Sequence, residues 1–280
     1  MTLKSILVHM DATDRCKERL HLAGGLARAN DSHLSGLFVI PEPFYPIDGD
    51  AAYFPPDVLE QWEREEKEYA RAAESLFQDF VDSQGLHGEW RSEQGPPAEV
   101  VRRHARYADL TVVGQGSVDD PKRYPDPFLA EDVVMDSGRP VLVIPNTGSF
   151  DSAFKQALVC WNASREAVRA ISDAMPFLQS ADNVTILTVN PDKPSSGDHG
   201  EIPAADIALQ LARHGVKAEA ESMTTDQADV GTTILDRARD LKADLIIAGA
   251  YGHSRTREWI LGGVTKTLLH ETAVPTLLSH

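Results

Sequence analysis

The sequence has few cysteines, a deficit of positive charge and no long apolar run. Its two cysteines, Cys16 and Cys160, are too few for a disulfide framework and are not spaced as a metal or redox pair. With 27 basic against 43 acidic residues, the formal charge is −16, which repels the phosphates of nucleic acids. No stretch approaches the roughly 18 consecutive apolar residues of a membrane helix. These absences argue against a nucleic acid or a membrane as a partner.

The length and composition are those of a globular protein with two domains. The chain has 280 residues, of which 42% are hydrophobic and 25% charged, and single domains most often have roughly 100–150 residues. Its first residues enter a strand pattern directly, without the features of a signal peptide, so we expect a cytoplasmic protein. The ten histidines show no close ligand spacing, and we predict no metal site.

An internal repeat divides the chain into two halves. Each half opens with an apolar run that ends in a polar cluster, followed by a segment of helical period. Later, each half has an Ala-Asp-Leu run that ends in glycine, and then a closing apolar strand after proline. The paired segments are 4–13 with 155–164, 108–114 with 243–249, and 140–145 with 275–278.

Strands and helices alternate within each half. The strands are continuous apolar runs, which is typical of a parallel sheet buried on both faces, and helical segments such as 56–85 and 204–214 lie between them. We therefore predict an α/β protein with two tandem doubly wound domains, 1–147 and 153–280. The closing strands would be exposed edges, so we predict that they pair within the chain as an intramolecular pseudo-dimer, with a further homodimer as an open alternative.

A glycine-rich stretch follows the strand at 245–248. Two residues separate Gly249 from Gly252, nine separate Gly252 from Gly262, and a helical segment begins at Gly263. Glycine lets the backbone approach a ligand, and free N–H groups in such a turn and at a helix N-terminus suit phosphate. The spacing predicts a phosphate-binding loop that lacks the Walker lysine pattern.

This glycine spacing, with the opening strand, the Ala-Asp-Leu run and the closing strand, resembles the universal stress protein family. The resemblance covers nearly the whole chain, as two tandem copies. It implies a five-stranded domain of flavodoxin-like or adenine-nucleotide alpha-hydrolase-like type. It also implies that subunits pair by their last strands, and that some members bind ATP through the glycine loop.

The resemblance also implies a ligand site in the second copy. The loop would hold phosphates, the end of the first strand would flank adenosine, and Val189 would offer backbone groups to adenine. Asn162 stands where the family usually has aspartate, and Gly263 where nucleotide-binding members usually have serine or threonine. His253 and Arg255 could neutralise phosphate charge or could be solvated surface residues. The candidate ligand-binding residues are Asn162, Ser164, Val189, Gly249, Gly252, His253, Arg255, Gly262, Gly263, Val264 and Thr265.

The first copy differs at the corresponding loop. Residues 115–125 contain aspartates and prolines where a phosphate loop needs free N–H groups, and the nine-residue glycine spacing is missing. Asp11 keeps the acid that the family usually has after its first strand. We predict no ATP in this copy, and its role stays open between packing, partner recognition and another ligand.

Together these patterns predict a regulatory binding module of the stress response. Its cofactor would be ATP or a related adenine nucleotide, with or without Mg²⁺, in the second domain. No general base or dedicated magnesium carboxylate stands out in the loop, so we assign no catalytic residue and expect slow ATP hydrolysis at most. The alternatives are a nucleotide-free scaffold that binds an unknown protein partner, and a slow ATP hydrolase.

Overall fold

The fold was analysed in a computed structural model. It describes residues 2–43, 55–116, 126–190, 204–225, 229–251 and 263–280. The first half contains β1 (Ser5–Met10), α1 (Cys16–Asn30), β2 (His33–Ile40), α2 (Pro56–Gln84), β3 (Gly88–Gln94), α3 (Pro97–Ala105), β4 (Leu110–Gly114), α4 (Leu129–Asp136) and β5 (Val141–Ile144). The second contains β6 (Gln156–Cys160), α5 (Arg165–Asp173), α6 (Met175–Ser180), β7 (Asn183–Val189), α7 (Ala205–Arg213), β8 (Ala218–Met223), α8 (Val230–Leu241), β9 (Leu245–Gly249), α9 (Gly263–Glu271) and β10 (Thr276–Ser279).

The ten strands of the described residues form one sheet in the order β3-β2-β1-β4-β5-β10-β9-β6-β7-β8. The strands within each half are parallel, and the two halves meet where β10 pairs antiparallel with β5. Leu142 and Leu277 face each other in this junction and are both fully buried. The α/β class, the doubly wound arrangement and the pairing of the last strands within the chain are thereby confirmed.

The central strands are apolar because helices cover both faces of the sheet. Ile6, Leu7 and Val8 are consecutive in β1, and each is at most 1% exposed. Side chains of one strand alternate between the faces, so Ile6 and Val8 join one core cluster and Leu7 the other. Each cluster contains residues of both halves. The two halves therefore share two continuous cores, one on each face.

The two edge strands were not predicted. β3 (GEWRSEQ) and β8 (AEAESM) contain no buried residue, and all of their side chains are exposed or partly buried. A search for continuous apolar runs overlooks such strands. Charged side chains on an edge strand discourage pairing with a second molecule. Among the described helices, none combines the length and apolar composition needed to cross a bilayer.

The connection between the halves is attached to the first helix. The guanidinium of Arg15 donates to the carbonyl oxygens of Pro145 (3.1 Å) and Gly148 (2.7 Å). The carboxylate of Glu18 accepts a hydrogen bond from the backbone N–H of Phe150 at 2.8 Å. The domain limits at 147 and 153 stay a prediction, but the segment between them packs against α1.

Candidate functional site

Each half of the sheet has a switch point where ligands of parallel sheets usually bind. β1 lies between β2 and β4, and β6 lies between β7 and β9. Because these strands are parallel, their carboxyl ends meet at one edge. Asn162, Val189 and Gly249 follow or end the strands β6, β7 and β9 at this edge. The structure thus brings together the described part of the predicted site.

Asn162 and Ser164 build the start of helix α5. The side-chain oxygen of Asn162 accepts from the backbone N–H of Ser164 at 3.1 Å, and the Ser164 hydroxyl caps the helix by accepting from the N–H of Ala167 at 3.2 Å. Asn162 is exposed, and its amide nitrogen has no hydrogen-bond partner among the described residues. Asn162 can therefore still meet a ligand, whereas capping engages the hydroxyl of Ser164.

Gly249 has a steric role that needs no ligand. A Cβ atom at this position would lie 2.5 Å from the backbone nitrogen of Ala167 and 2.5 Å from the carbonyl carbon of Glu166. The N-terminus of α5 therefore packs directly on the end of β9, and a larger residue would push them apart. For Gly249, close packing explains the glycine as well as phosphate binding does.

The N-terminus of α9 lies at the same edge. Gly263 is its first residue, and among the described residues the nearest atom to a Cβ placed there would be Oδ1 of Asp229 at 3.7 Å. Thr265 is buried, and its hydroxyl accepts from the backbone N–H of Tyr251 at 3.2 Å. Thr265 thus supports the start of the glycine loop, while Val264 is partly buried beside it.

Four of the candidate residues, namely Gly252, His253, Arg255 and Gly262, lie outside the described residues. The predicted contacts of the loop with phosphate therefore stay a prediction.

The first half repeats the turn but not its surroundings. The Oδ1 atom of Asp11 accepts from the backbone N–H (2.9 Å) and the hydroxyl (2.6 Å) of Thr13. Its Oδ2 atom lies 2.7 Å from Nη2 of Arg19, and Nε of Arg19 donates to the carbonyl oxygen of His9 at 2.6 Å. A Cβ on Gly114 would collide with the guanidinium of Arg19. Gly114, the counterpart of Gly249, thus makes room for a side chain of the protein itself.

Burial controls the charges in this part of the first half. Arg19 is 1% exposed. Burial opposes the charged form of Asp11, yet Arg19, His9 and the hydrogen bonds from Thr13 together hold its pKa below the usual range. Burial also lowers the pKa of His9 to about 4, against the attraction of Asp11 and with a further contribution from Arg19. At neutral pH the cluster therefore contains a carboxylate, a guanidinium and an uncharged imidazole.

A cleft opens beside this cluster and encloses about 760 Å³, including space open to solvent. Asp126 lies at its rim, and its Oδ1 atom accepts from the backbone N–H of Phe128 at 3.1 Å, just before α4. Burial raises the pKa of Asp126, and nearby Asp132 adds to this. In the first half, the carboxyl group of Asp126 thus lies just before the N-terminus of α4. The cleft is lined by His9, Asp11, Phe38, Glu66, Tyr69, Gln115 and Asp126, among others.

Sequence reasoning missed Arg19, although a signal was present. Arg19 lies four residues before Ala23, so it falls on the apolar face of α1 that Ala23 and Leu26 help to form. A lone arginine on such a face requires a buried partner. Across the described ranges, no group of three or more potential metal ligands comes together.

Comparisons with known proteins agree with the fold. The family model described as the universal stress protein family matches residues 2–145 and 153–280. A universal stress protein from Archaeoglobus fulgidus DSM 4304 is 18% identical, with a TM-score of 0.74 over 98% of this chain and 95% of its own. A functionally unknown protein from Pseudomonas aeruginosa PAO1 is 12% identical, with a TM-score of 0.58 over 99% and 92%.

A shorter chain, a universal stress protein in complex with cAMP, is 22% identical and covers 52% of this chain with all of its own, at a TM-score of 0.39. No curated protein matches. The family model matches the chain twice, in segments that include the opening and closing strands of each half. The chain therefore belongs to the universal stress protein family and contains two copies of its domain in tandem.

Proposed function

We propose that the second domain binds ATP or a related adenine nucleotide, and that the protein acts as a regulatory module of the stress response. The observation that carries the proposal is the solvent exposure of the Asn162 side chain. In the first domain Asp11 is paired with Arg19, whereas Ala170 occupies the repeat position of Arg19 in the second domain. Asn162 is consequently exposed at the end of β6, where its amide can donate to a ribose hydroxyl.

Helix α9 begins at the same edge, and its N-terminus favours a phosphorylated ligand. The first N–H groups of α9 lack partners within the helix, and the dipole of the helix favours negative charge there. The carboxylate of Asp229 lies near Gly263, with Oδ1 3.7 Å from a Cβ placed at that residue. Because a carboxylate repels phosphate, the nucleotide is best tested together with Mg²⁺.

Titration calorimetry of the full chain with ATP and Mg²⁺ tests the proposal. Nucleotide carried through purification is first sought by denaturation and chromatography, and ADP, AMP and cAMP are titrated in parallel. We expect one equivalent of nucleotide per chain, bound by the second domain. Two equivalents would contradict the prediction for the first domain. No binding and no carried nucleotide would favour the scaffold that binds a protein partner.

Two substitutions test the assigned residues. Gly252→Val should abolish binding, because a β-branched side chain blocks the approach of the loop to phosphate. Asn162→Ala should weaken binding by about fivefold, the effect of one lost hydrogen bond. Asn183→Ala is the control, since Asn183 is exposed at the amino end of β7, opposite the site. Unchanged affinity in Gly252→Val, with the fold intact, would refute the assignment of the loop.

The hydrolase alternative makes a separate prediction. Little or no catalysis is expected, so phosphate release from ATP with Mg²⁺ over hours should not exceed that of a chain carrying Gly252→Val. Release that depends on Gly252 would support a slow ATP hydrolase instead. A cytoplasmic location and a further homodimer stay predictions.

A further inference from the structure

Tyr251 occupies an unusual position at the start of the glycine loop. It lies two residues after the end of β9, and its backbone has a φ of +61°. An aromatic residue rarely adopts this left-handed conformation, and it persists where the surrounding structure enforces it. The contacts of Tyr251 therefore decide the direction in which the chain leaves β9.

Within the second domain, both the backbone N–H and the ring of Tyr251 make contacts. Its N–H donates to the hydroxyl of Thr265 at 3.2 Å. Its ring meets that of His280 edge-on, with centroids 6.2 Å apart, and Nδ1 of His280 lies 3.0 Å from the carbonyl oxygen of Ala250. These contacts attach the start of the loop to α9 and to the segment after β10.

The hydroxyl of Tyr251 reaches the other domain. It donates to Oε1 of Glu131 in α4 at 3.1 Å. Glu131 is 6% exposed, and no ion pair to it is found within the described part of the chain. A buried carboxylate needs hydrogen-bond donors, so the bond matters to both partners. Burial, followed by the neighbouring charge of Glu131, raises the pKa of Tyr251, which keeps the phenol protonated as a donor.

The residue at the corresponding position of the first domain cannot form this bond. Gly116 follows Gly114 at the distance at which Tyr251 follows Gly249, and glycine has no side chain that could reach across. The bond is therefore donated by the second domain and accepted by the first, and it is not repeated at Gly116; in the first domain Gln115 instead donates to the carbonyl oxygen of Thr272 at 3.2 Å. The bond between Tyr251 and Glu131 thus lies next to the loop of the second domain, which retains the glycine spacing.

We infer that Glu131 is a positioning residue for the nucleotide site of the second domain, acting through the hydroxyl of Tyr251. Glu131 would thus act from the first domain on the residues that follow β9. This inference rests on the proposed function, because the ligand that it concerns is the adenine nucleotide.

Calorimetry with ATP and Mg²⁺ on variants of the full chain tests the inference. Tyr251→Phe removes only the hydroxyl and should weaken affinity by about tenfold, as for the loss of a hydrogen bond to a charged group. Glu131→Ala should have a similar effect, and the double variant should be no weaker than either single one. Glu131→Gln should restore affinity to within about twofold of the parent, because its amide oxygen still accepts a hydrogen bond.

The matched control is Tyr107→Phe. Tyr107 is 80% exposed in the first domain and far from the loop in sequence. The Tyr107→Phe variant should therefore bind ATP with the affinity of the parent. If Tyr251→Phe binds ATP as tightly as the parent, the inference is overturned while nucleotide binding stands. Equal losses in Glu131→Gln and Glu131→Ala would also overturn it.

A readout without nucleotide separates this inference from the proposed function. Hydrogen exchange of the free protein should accelerate in Tyr251→Phe and Glu131→Ala at residues 249–251 and at the start of α9, and not in Tyr107→Phe. If the parent binds no nucleotide but exchange accelerates in this way, the proposed function fails and the positioning by Glu131 is supported. Unchanged exchange at these residues would overturn the positioning whether or not nucleotide binds.

Discussion

The two domains build the same turn at the same strand end and surround it differently. Asp11 and Asn162 each accept a hydrogen bond from the backbone two residues later. In the first domain the other carboxylate oxygen of Asp11 is paired with buried Arg19, whereas Asn162 is exposed. The turn is thus common to both domains, and the residue packed behind it decides which hydrogen-bonding groups of the turn are already engaged within the protein.

The glycines that end β4 and β9 also have different surroundings in the two domains. A Cβ on Gly114 would meet the guanidinium of Arg19, while one on Gly249 would meet the backbone of Ala167 and Glu166. The same residue type is therefore required for two different reasons. A glycine pattern by itself does not distinguish a ligand from a neighbouring part of the protein.

The largest effect is expected from exchanging the turn residues. Asp11→Asn leaves the charge of Arg19 buried without its carboxylate, and breaking such a pair should lower the free energy of unfolding by about 3 kcal/mol. Asn162→Asp places a carboxylate at an exposed position and should change the free energy of unfolding by less than about 0.5 kcal/mol. Urea denaturation of both variants measures the difference. Similar losses in the two variants would contradict the distinction between the domains.

A smaller effect is expected from acid. Burial lowers the pKa of His9 from its ordinary value of 6.5 to about 4 in the folded protein, so the unfolded chain takes up a proton first as the pH falls below about 6.5. Stability is therefore lost between about pH 6.5 and pH 4, and His9→Gln should abolish about 2 kcal/mol of the loss between pH 7 and pH 4.5. Denaturation at both pH values tests this.

The control for this prediction is His87→Gln, because His87 is exposed and lies outside the cluster. An identical pH dependence in the parent and in His9→Gln would show that His9 is not held uncharged by burial.

The smallest effect is expected at the N-terminus of α9. In Gly263→Ser, the new Cβ would have no neighbour closer than 3.7 Å among the described residues, and the hydroxyl should strengthen ATP binding by about fivefold. Gly263→Ala is the control that separates the hydroxyl from the gain in helix propensity. Calorimetry that finds equal affinities for the serine and alanine variants would show that the family's usual hydroxyl contributes nothing here.

The repeat and the buried strands could be predicted because they depend on local apolar runs. Most residues of β1 and β9 are buried. Helix α2 ends at Gln84 and is followed by Gly85, whose φ of +61° suits glycine. The antiparallel junction followed from the need to cover the closing strands. Each of these features leaves a local pattern of residue types that can be read from one sequence.

The contacts that distinguish the two sites could not be predicted in the same way. Arg19 reaches Asp11 across a helix turn, and Tyr251 meets Glu131 only because β5 and β10 bring the two domains together. The edge strands β3 and β8 are polar because one of their sides lacks a neighbouring strand. Each of these depends on tertiary packing, which local patterns do not record.

The position of β10 also has a consequence for biosynthesis. β10 comes last among the strands in chain order, yet it lies in the middle of the sheet between β5 and β9. During translation, β5 of the first domain therefore emerges without the neighbour that later covers it. An uncovered apolar strand edge invites pairing with another nascent chain. Until β10 has been synthesised, the edge of β5 is therefore open to such pairing.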